Sequence, residues 1–295
     1  MYSFFLIILE QVVMYLPLLL GSYISFSLMK TPDLSVESAF LFGAVAGAKT
    51  IQLLDGLSPK IILPVVISGA LLGGSLVGVI SSCITRFGKI PALLSSIITI
   101  GIFQGLFLLI FSTPYISLAR FTNPLMITML TAHHNELISI SLITTIVGMV
   151  TTFLLNTQLG HCFAIFGINS AFFNHFNISS QYVFIVGIIL ANGLAGLSGY
   201  FFAQTNNLIE INMGAGKSLF CITSLIMGKT ITRNASKKTL LIPLAGLLNY
   251  FALQQTLLKL GFNLKYFTAI QALVVLILLI VFFQKNNSKI DQLGV

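Results

Sequence analysis

Apolar runs of about twenty residues, separated by short polar connections, recur along the whole chain. A helix needs roughly 20 apolar residues to cross the hydrocarbon core of a bilayer. Runs of that kind predict nine spans, at about 3–28, 35–54, 61–84, 90–111, 137–156, 181–203, 215–229, 239–258 and 266–283. The second and seventh are weak. The second follows Thr31-Pro-Asp-Leu-Ser-Val-Glu37 and contains Lys49, and the seventh is short and holds Lys217 near its start. Lipid offers no partner to backbone N–H and C=O groups, so helices are the expected solution, and no barrel-like alternation is visible. The fold class expected is therefore an all-α polytopic membrane protein of about 8–10 transmembrane helices. It forms a single transmembrane domain over residues 1–295, with two interrupted segments and an internal inverted repeat.

The two interruptions are alike. Pro32-Asp-Leu-Ser-Val-Glu-Ser38 leads into Ala39–Gly47, and Asn206-Asn-Leu-Ile-Glu-Ile-Asn-Met-Gly-Ala-Gly216 leads into the short seventh run. Each follows a strong span, precedes a weak one and places acids or amides just before a helix start, where exposed backbone N–H groups favour negative charge. Paired broken helices in corresponding halves point to a midplane binding site. The candidate path residues are Glu10, Asp33, Ser35, Glu37, Asn207, Glu210, Asn212, Gly214 and Gly216; simple capping of span ends is the competing reading. Glu10 lies inside the first span, where an acid usually faces a partner or a water-filled cavity. Gln104, Asn192, Asn249, Gln254 and Gln255 are amides within spans and suit hydrogen bonds between helices. Ala191, Ala195 and Gly199 recur at four-residue spacing in the sixth span, with Gly193 and Gly196 between them, and mark close helix packing.

Composition confirms the environment. Apolar residues make up 56% of the chain and charged residues 7%, with a mean hydropathy of +1.00. A soluble domain carries roughly a quarter charged residues. The net charge of +8 reads as basic residues that orient spans, not as a nucleic-acid surface. With the N-terminus outside, the inner connections carry Lys30, Arg86, Lys89, Lys229, Arg233, Lys237, Lys238, Lys285 and Lys289, and the outer ones Lys60, Arg120, Lys259 and Lys265. The excess inside predicts N-out, C-in. The polar, Phe-rich stretch at 157–180 is then cytoplasmic. The connection at 112–136, with Pro114, Arg120, Pro124, His133, His134 and Glu136, is external and could meet an outside protein.

Chemistry of other kinds finds little support. Cys83, Cys162 and Cys221 show no disulfide or metal spacing, and no metal or cofactor is expected. Gly214-Ala-Gly-Lys-Ser218 resembles the end of a phosphate loop, but Ile211 stands where the required first Gly would be, and no strand or nucleotide domain surrounds it. No nucleophile–base set is visible, so catalysis by this chain is not expected.

Three segments resemble permease subunits of bacterial ABC importers of the branched-chain amino acid, sugar and tryptophan-type superfamily. They are Asp33-Leu-Ser-Val-Glu-Ser38 with Gly43-Ala; Gly167, Asn169 and Gly193-Leu-Ala-Gly-Leu-Ser-Gly199; and Asn212-Met-Gly-Ala-Gly216. Order and spacing agree over roughly residues 5–283. The resemblance implies a permease in a bacterial cell membrane that works with a second copy or paralogue, a separate ATPase and an external substrate-binding protein. A loop helix at about Ala164–Phe176 would seat in the ATPase, through Gly167, Ile168, Asn169, Phe172, Phe173 and Phe176, with Phe163 and Phe166 beside them. Ile168 replaces an acid common in the family, and Glu37 stands where sugar-type members usually carry Gly, which points to the amino-acid or tryptophan-like branch. A small polar solute, an amino acid or relative, is the expected cargo. An ion-coupled secondary carrier and a non-transporting membrane scaffold are the alternatives.

Overall fold

A computed structural model describes residues 2–54, 56–111, 113–121, 123–125, 132–176, 178–232 and 240–261, with residues 269, 272 and 273. Apart from residues 269, 272 and 273, the expected span at 266–283 lies outside the described residues, as does the basic cluster Arg233, Lys237 and Lys238.

The elements follow the apolar runs closely. Helix α1 is Tyr2–Ser22 and continues as a π-helical stretch, Tyr23–Leu28. Then come α2 Val36–Leu53, α3 Pro59–Gly88, α4 Ala92–Ile110, α5 Ala132–Asn156, α6 Gln158–Ile168 with a 3₁₀ extension Ser170–Phe176, α7 Ser180–Asn206, α8 Lys217–Ile231 and α9 Leu241–Lys259. Among the described residues, six stretches are long and apolar enough to cross a membrane: Phe4–Leu28, Ile61–Gly88, Ala92–Ile110, Glu136–Asn156, Ser180–Asn206 and Leu241–Lys259. The two weak spans, α2 and α8, are helices that start at the two interruptions. They need not be uniformly apolar, because protein rather than lipid covers much of each.

Helix α7 is the axis of the bundle. Ser198 Oγ donates to Met14 O at 2.7 Å, and Gly21 backs onto the Ala191 carbonyl, so α1 runs antiparallel to α7. On the opposite side Gly196 meets Ala70 and Gly74, and Gly78 meets Ile188, which makes α3 antiparallel to α7 as well. Side chains larger than hydrogen do not fit these crossings. A Cβ at Gly199 would enter the Phe40 carbonyl, and one at Gly43 would enter the Gly196 backbone. The small-residue run of the sixth span is thus the seam where α1, α2 and α3 all approach one helix, with Ala191 and Ala195 fully buried in it.

The two halves interchange. α2 packs on α3 as α8 packs on α9, and α3 packs on α7 as α9 packs on α1. Gly228 and Gly246 bring α8 and α9 together as Gly69 and Gly73 bring α2 and α3 together. This is the packing expected of an inverted repeat, with α1 and α7 as antiparallel counterparts.

At one end of the bundle, β1 (Tyr115–Ser117) and β2 (Leu208–Glu210) form a short antiparallel ladder, Tyr115 opposite Glu210. It joins the α4–α5 connection to the α7–α8 connection. At the other end α6 lies beneath the π-helical end of α1.

Candidate functional site

Both interruptions turn inside the bundle. Helix α1 widens into its π-helical stretch and ends at Leu28; the chain turns through Lys30, at φ +52°. It reaches Asp33, which is 2% exposed, beside the middle of α7. There Asn192 Nδ2 donates to Asp33 Oδ2 at 2.8 Å. Ser35 donates twice to Asp33 Oδ1, from its backbone N–H at 3.0 Å and its hydroxyl at 2.6 Å, and the same hydroxyl lies 3.3 Å from Asn192 Oδ1. The carboxylate therefore closes a local turn at the start of α2 and clasps that turn to α7.

The second interruption descends to meet the first. Gly216 takes φ +78° at the start of α8, a backbone state that favours glycine. A Cβ at Gly214 would strike the Glu37 carbonyl. Ser218 donates its N–H to Glu37 Oε1 at 3.2 Å and its hydroxyl to Leu34 O at 3.2 Å. Glu37, in the first turn of α2, thus caps the N-terminus of α8, where the helix dipole favours an anion. The starts of α2 and α8 meet at the centre of the bundle.

Lys217, the first residue of α8, points into an aromatic box. Its ammonium lies 4.7 Å from the ring centroid of Tyr15, 5.4 Å from that of Phe40 and 5.2 Å from that of Phe202. It also donates to the Tyr15 hydroxyl at 2.8 Å. Phe220 and Phe251 pack behind Tyr15 at 5.2 Å and 5.6 Å between centroids.

At the far end, a Cβ at Gly167 would enter the Leu28 carbonyl, and one at Gly187 would enter Met29 Sδ. Helix α6 therefore sits directly against the π-helical end of α1, and Met29 wedges between α6 and α7.

A family model for the branched-chain amino acid transport system permease component matches residues 4–282. The chain belongs to this family. The permease is 31% identical over 260 residues to the uncharacterized protein RP368 of Rickettsia prowazekii (strain Madrid E), with 86% of this chain and 89% of that one covered. It is 27% identical over 277 residues to the tyrosine transport system permease protein of Clostridioides difficile (strain R20291), with 92% and 90% covered. No solved structure matches it. It is a multi-pass membrane permease subunit of an importer for small solutes.

Against that geometry the residues expected to line a path divide. Asp33, Ser35, Glu37, Gly214 and Gly216 come together at the permease's centre. Asn207 ends α7 in the left-handed region, at φ +52°, while Glu210 and Asn212 are exposed beside the ladder. Glu10 lies apart from them, lining a cavity of about 10 Å³ with Val13, Met14, Glu136, Leu137, Ile140 and Thr205. The loop helix differs in its limits from the expected Ala164–Phe176. It starts at Gln158 and breaks at Asn169, whose φ of −154° is extended. Thr157 is its extended entry residue. Phe163 and Phe173 are buried within the permease itself, and Phe166 packs on Phe184. That leaves Ile168, 73% exposed, and Phe172, 41% exposed, as the apolar groups offered outward at this turn; the side chain of Phe176 lies outside the described residues.

Sequence reasoning passed over Asn192 as one packing amide among five and set Lys217 aside with the rejected phosphate loop. The available signal was a lone cation opening a short apolar run, directly after a Gly-rich break, in a chain with few charges.

Proposed function

We propose that this permease carries an amino acid across a bacterial cell membrane, driven by a separate ATPase that seats on α6 and supplied by an external binding protein at the ladder end. The observation that carries the reading is the meeting of two broken helices, Asp33–Ser38 and Gly214–Ser218, at the centre of a bundle whose α6 touches the same break. Discontinuous helices with opposed starts are how membrane carriers place polar groups at mid-depth. Membership of a branched-chain amino acid permease family and likeness to a tyrosine transport permease support an amino-acid cargo.

Orientation with the N-terminus outside fits the charges. Arg86 lies over the Tyr182 ring at 5.8 Å, at the α6 end, and Lys30 and Lys229 belong to the same end. Ile168, Asn169 and Phe172, on the exposed turn after α6, form the ATPase contact, and Gly167 fixes that turn against α1. A second copy covers α4. Its outward face carries Gly101 and Gly105, where an added Cβ would meet nothing within 4 Å, and exposed Gln104, an amide that lipid cannot pair.

The test is uptake by proteoliposomes holding the permease, its ATPase and its binding protein. ATP-dependent entry of labelled tyrosine or leucine is expected. Uptake by the permease alone under an ion gradient would overturn the proposal in favour of a secondary carrier.

A further inference from the structure

The ends of α3 and α7 at the α6 side carry charge of one sign. Arg86 and Lys89 close α3. The described acids lie elsewhere: Asp33 and Glu37 at the bundle's centre, Glu10 and Glu136 about one small cavity, and Glu210 in the ladder at the other end. Among the described residues, no carboxylate or other acceptor meets the Arg86 guanidinium. It lies over the Tyr182 ring of α7 instead, 5.8 Å from the centroid. An aromatic face under a guanidinium orients its plane and leaves the N–H fork unspent.

Depth puts this pair at the edge of the membrane. Asn192 marks the bundle's centre, where it holds Asp33. Tyr182 stands ten residues before it in the same helix, about 15 Å away at 1.5 Å per residue. The hydrocarbon core is about 30 Å thick, so Arg86 and Tyr182 sit at the level of the lipid headgroups. The residues around them face outward. Phe87 is 81% exposed and Tyr182 67%, and Lys89, exposed as well, turns the chain out of α3 at φ +51°. A fork that matches two phosphate oxygens, a second cation three residues on and an exposed ring between them suit a phosphate joined to an apolar chain. A soluble partner would meet groups that stand beyond the headgroups.

We propose that Arg86, Lys89, Tyr182 and Phe87 form a seat for an anionic phospholipid, its phosphate on Arg86 and Lys89 and an acyl chain along Phe87. The lipid ties the end of α3 to the start of α7. With the N-terminus outside, the leaflet is the cytoplasmic one, where anionic lipids draw basic groups; only the leaflet's name rests on that orientation.

The chain has no Trp, so Phe87→Trp supplies a single fluorophore in the seat. The permease is placed in phosphatidylcholine nanodiscs with a minor share of either phosphatidylglycerol or phosphatidylcholine carrying brominated chains, which quench on contact. Nanodiscs present both leaflets alike, so the outcome is independent of orientation. Each cation at a membrane surface favours anionic lipid about fivefold. Brominated phosphatidylglycerol should therefore be enriched at the seat about tenfold or more over brominated phosphatidylcholine. Arg86→Gln and Lys89→Gln should each lower the enrichment about fivefold, and Tyr182→Leu at least about twofold. Arg86→Lys, which keeps the charge and loses the fork, should fall between Arg and Gln. Lys30→Gln, on the far side of α7, should change nothing. Counting retained phosphatidylglycerol by native mass spectrometry, on the wild type and Arg86→Gln, gives the same comparison without the reporter. Equal quenching by the two lipids, or equal losses in Lys30→Gln and Arg86→Gln, overturns the seat. An Arg86→Lys variant as good as the wild type overturns the fork. Reversal by inorganic phosphate at constant ionic strength overturns the lipid in favour of a soluble anion. Unchanged quenching in Arg86→Gln with weakened ATPase binding gives the patch to the ATPase and overturns the proposal.

Discussion

Replacing Asn192 with Ala isolates the clasp between the first broken helix and α7. Asp33 is nearly sealed from solvent, and its described partners are Ser35, two residues away, and Asn192, across the bundle. The Ala variant removes the 2.8 Å amide donor to Oδ2 and leaves the carboxylate with partners on one side. A hydrogen bond to a charged group contributes about 1.5–3 kcal/mol, whereas side-chain bonds between membrane helices average about 0.6 kcal/mol. The expected loss is therefore about 2–3 kcal/mol, roughly a 30- to 150-fold fall in the folded-to-unfolded ratio. Ser198→Ala is the internal control: an equally buried donor on the same helix, 2.7 Å from the neutral Met14 carbonyl, expected to lose about 0.6 kcal/mol. Asp33→Asn removes the charge, so Asn192→Ala made in that background should cost about 1 kcal/mol, giving a coupling of about 1–2 kcal/mol. Reversible unfolding in bicelles, followed by near-UV circular dichroism of the tyrosines, measures the wild type and all four variants. If Asn192→Ala costs no more than Ser198→Ala, or the coupling is below about 0.5 kcal/mol, the clasp is an ordinary packing contact and the argument from a buried charged hydrogen bond fails.

Three further outcomes are expected. Gly167→Leu forces α6 off the Leu28 carbonyl, so ATP hydrolysis by the assembled importer should continue while uptake falls at least about tenfold; unchanged uptake with normal abundance refutes the seat. Gly199→Ala drives a methyl group into the Phe40 carbonyl and should destabilise by about 1–3 kcal/mol, seen as a lowered midpoint in the same unfolding assay, while Gly101→Ala, on an open face, should change it by less than about 0.5 kcal/mol. Gln104→Leu should weaken self-association of the permease by about 0.6–2 kcal/mol in a dilution series followed by energy transfer between labelled copies, with the monomer's unfolding midpoint unmoved.

Span positions were legible because apolar length is a one-dimensional property. The ends of α3, α4 and α7 fall within a few residues of the runs that announced them. The weakness of the second and seventh runs was legible too, and it carried information: Lys49 and Lys217 lower their hydropathy, and both runs prove to be the continuations of broken helices. What could not be read was pairing. Asp33 meets Asn192, 159 positions away, and Glu37 meets Ser218, 181 away; nothing in the local pattern selects those partners over the other amides and hydroxyls. The Phe-rich loop misled for a related reason. Its phenylalanines share one amphipathic stretch, but Phe163 packs inward beside Gly187 and Phe173 is buried as well, which only the folded chain reveals.

The same pairings define how a push on α6 would travel. Gly167 bears on the Leu28 carbonyl without an intervening side chain, and Met29 is held against Gly187 of α7. Four residues beyond Met29, Asp33 is clasped to the middle of α7, and four beyond that, Glu37 holds the start of α8. Backbone-to-backbone contact at Gly167 and Gly214 leaves little slack, since no flexible side chain can absorb a shift there. A displacement of α6 relative to α7 must therefore be taken up either at the Asp33–Asn192 hydrogen bond or at the Glu37–Ser218 hydrogen bond. The first joins a buried charge to a rigid helix. The second holds a carboxylate to the amide of a segment that begins with two glycines. The second is the weaker restraint, so the break between α2 and α8, beside Lys217, is where the bundle should open first.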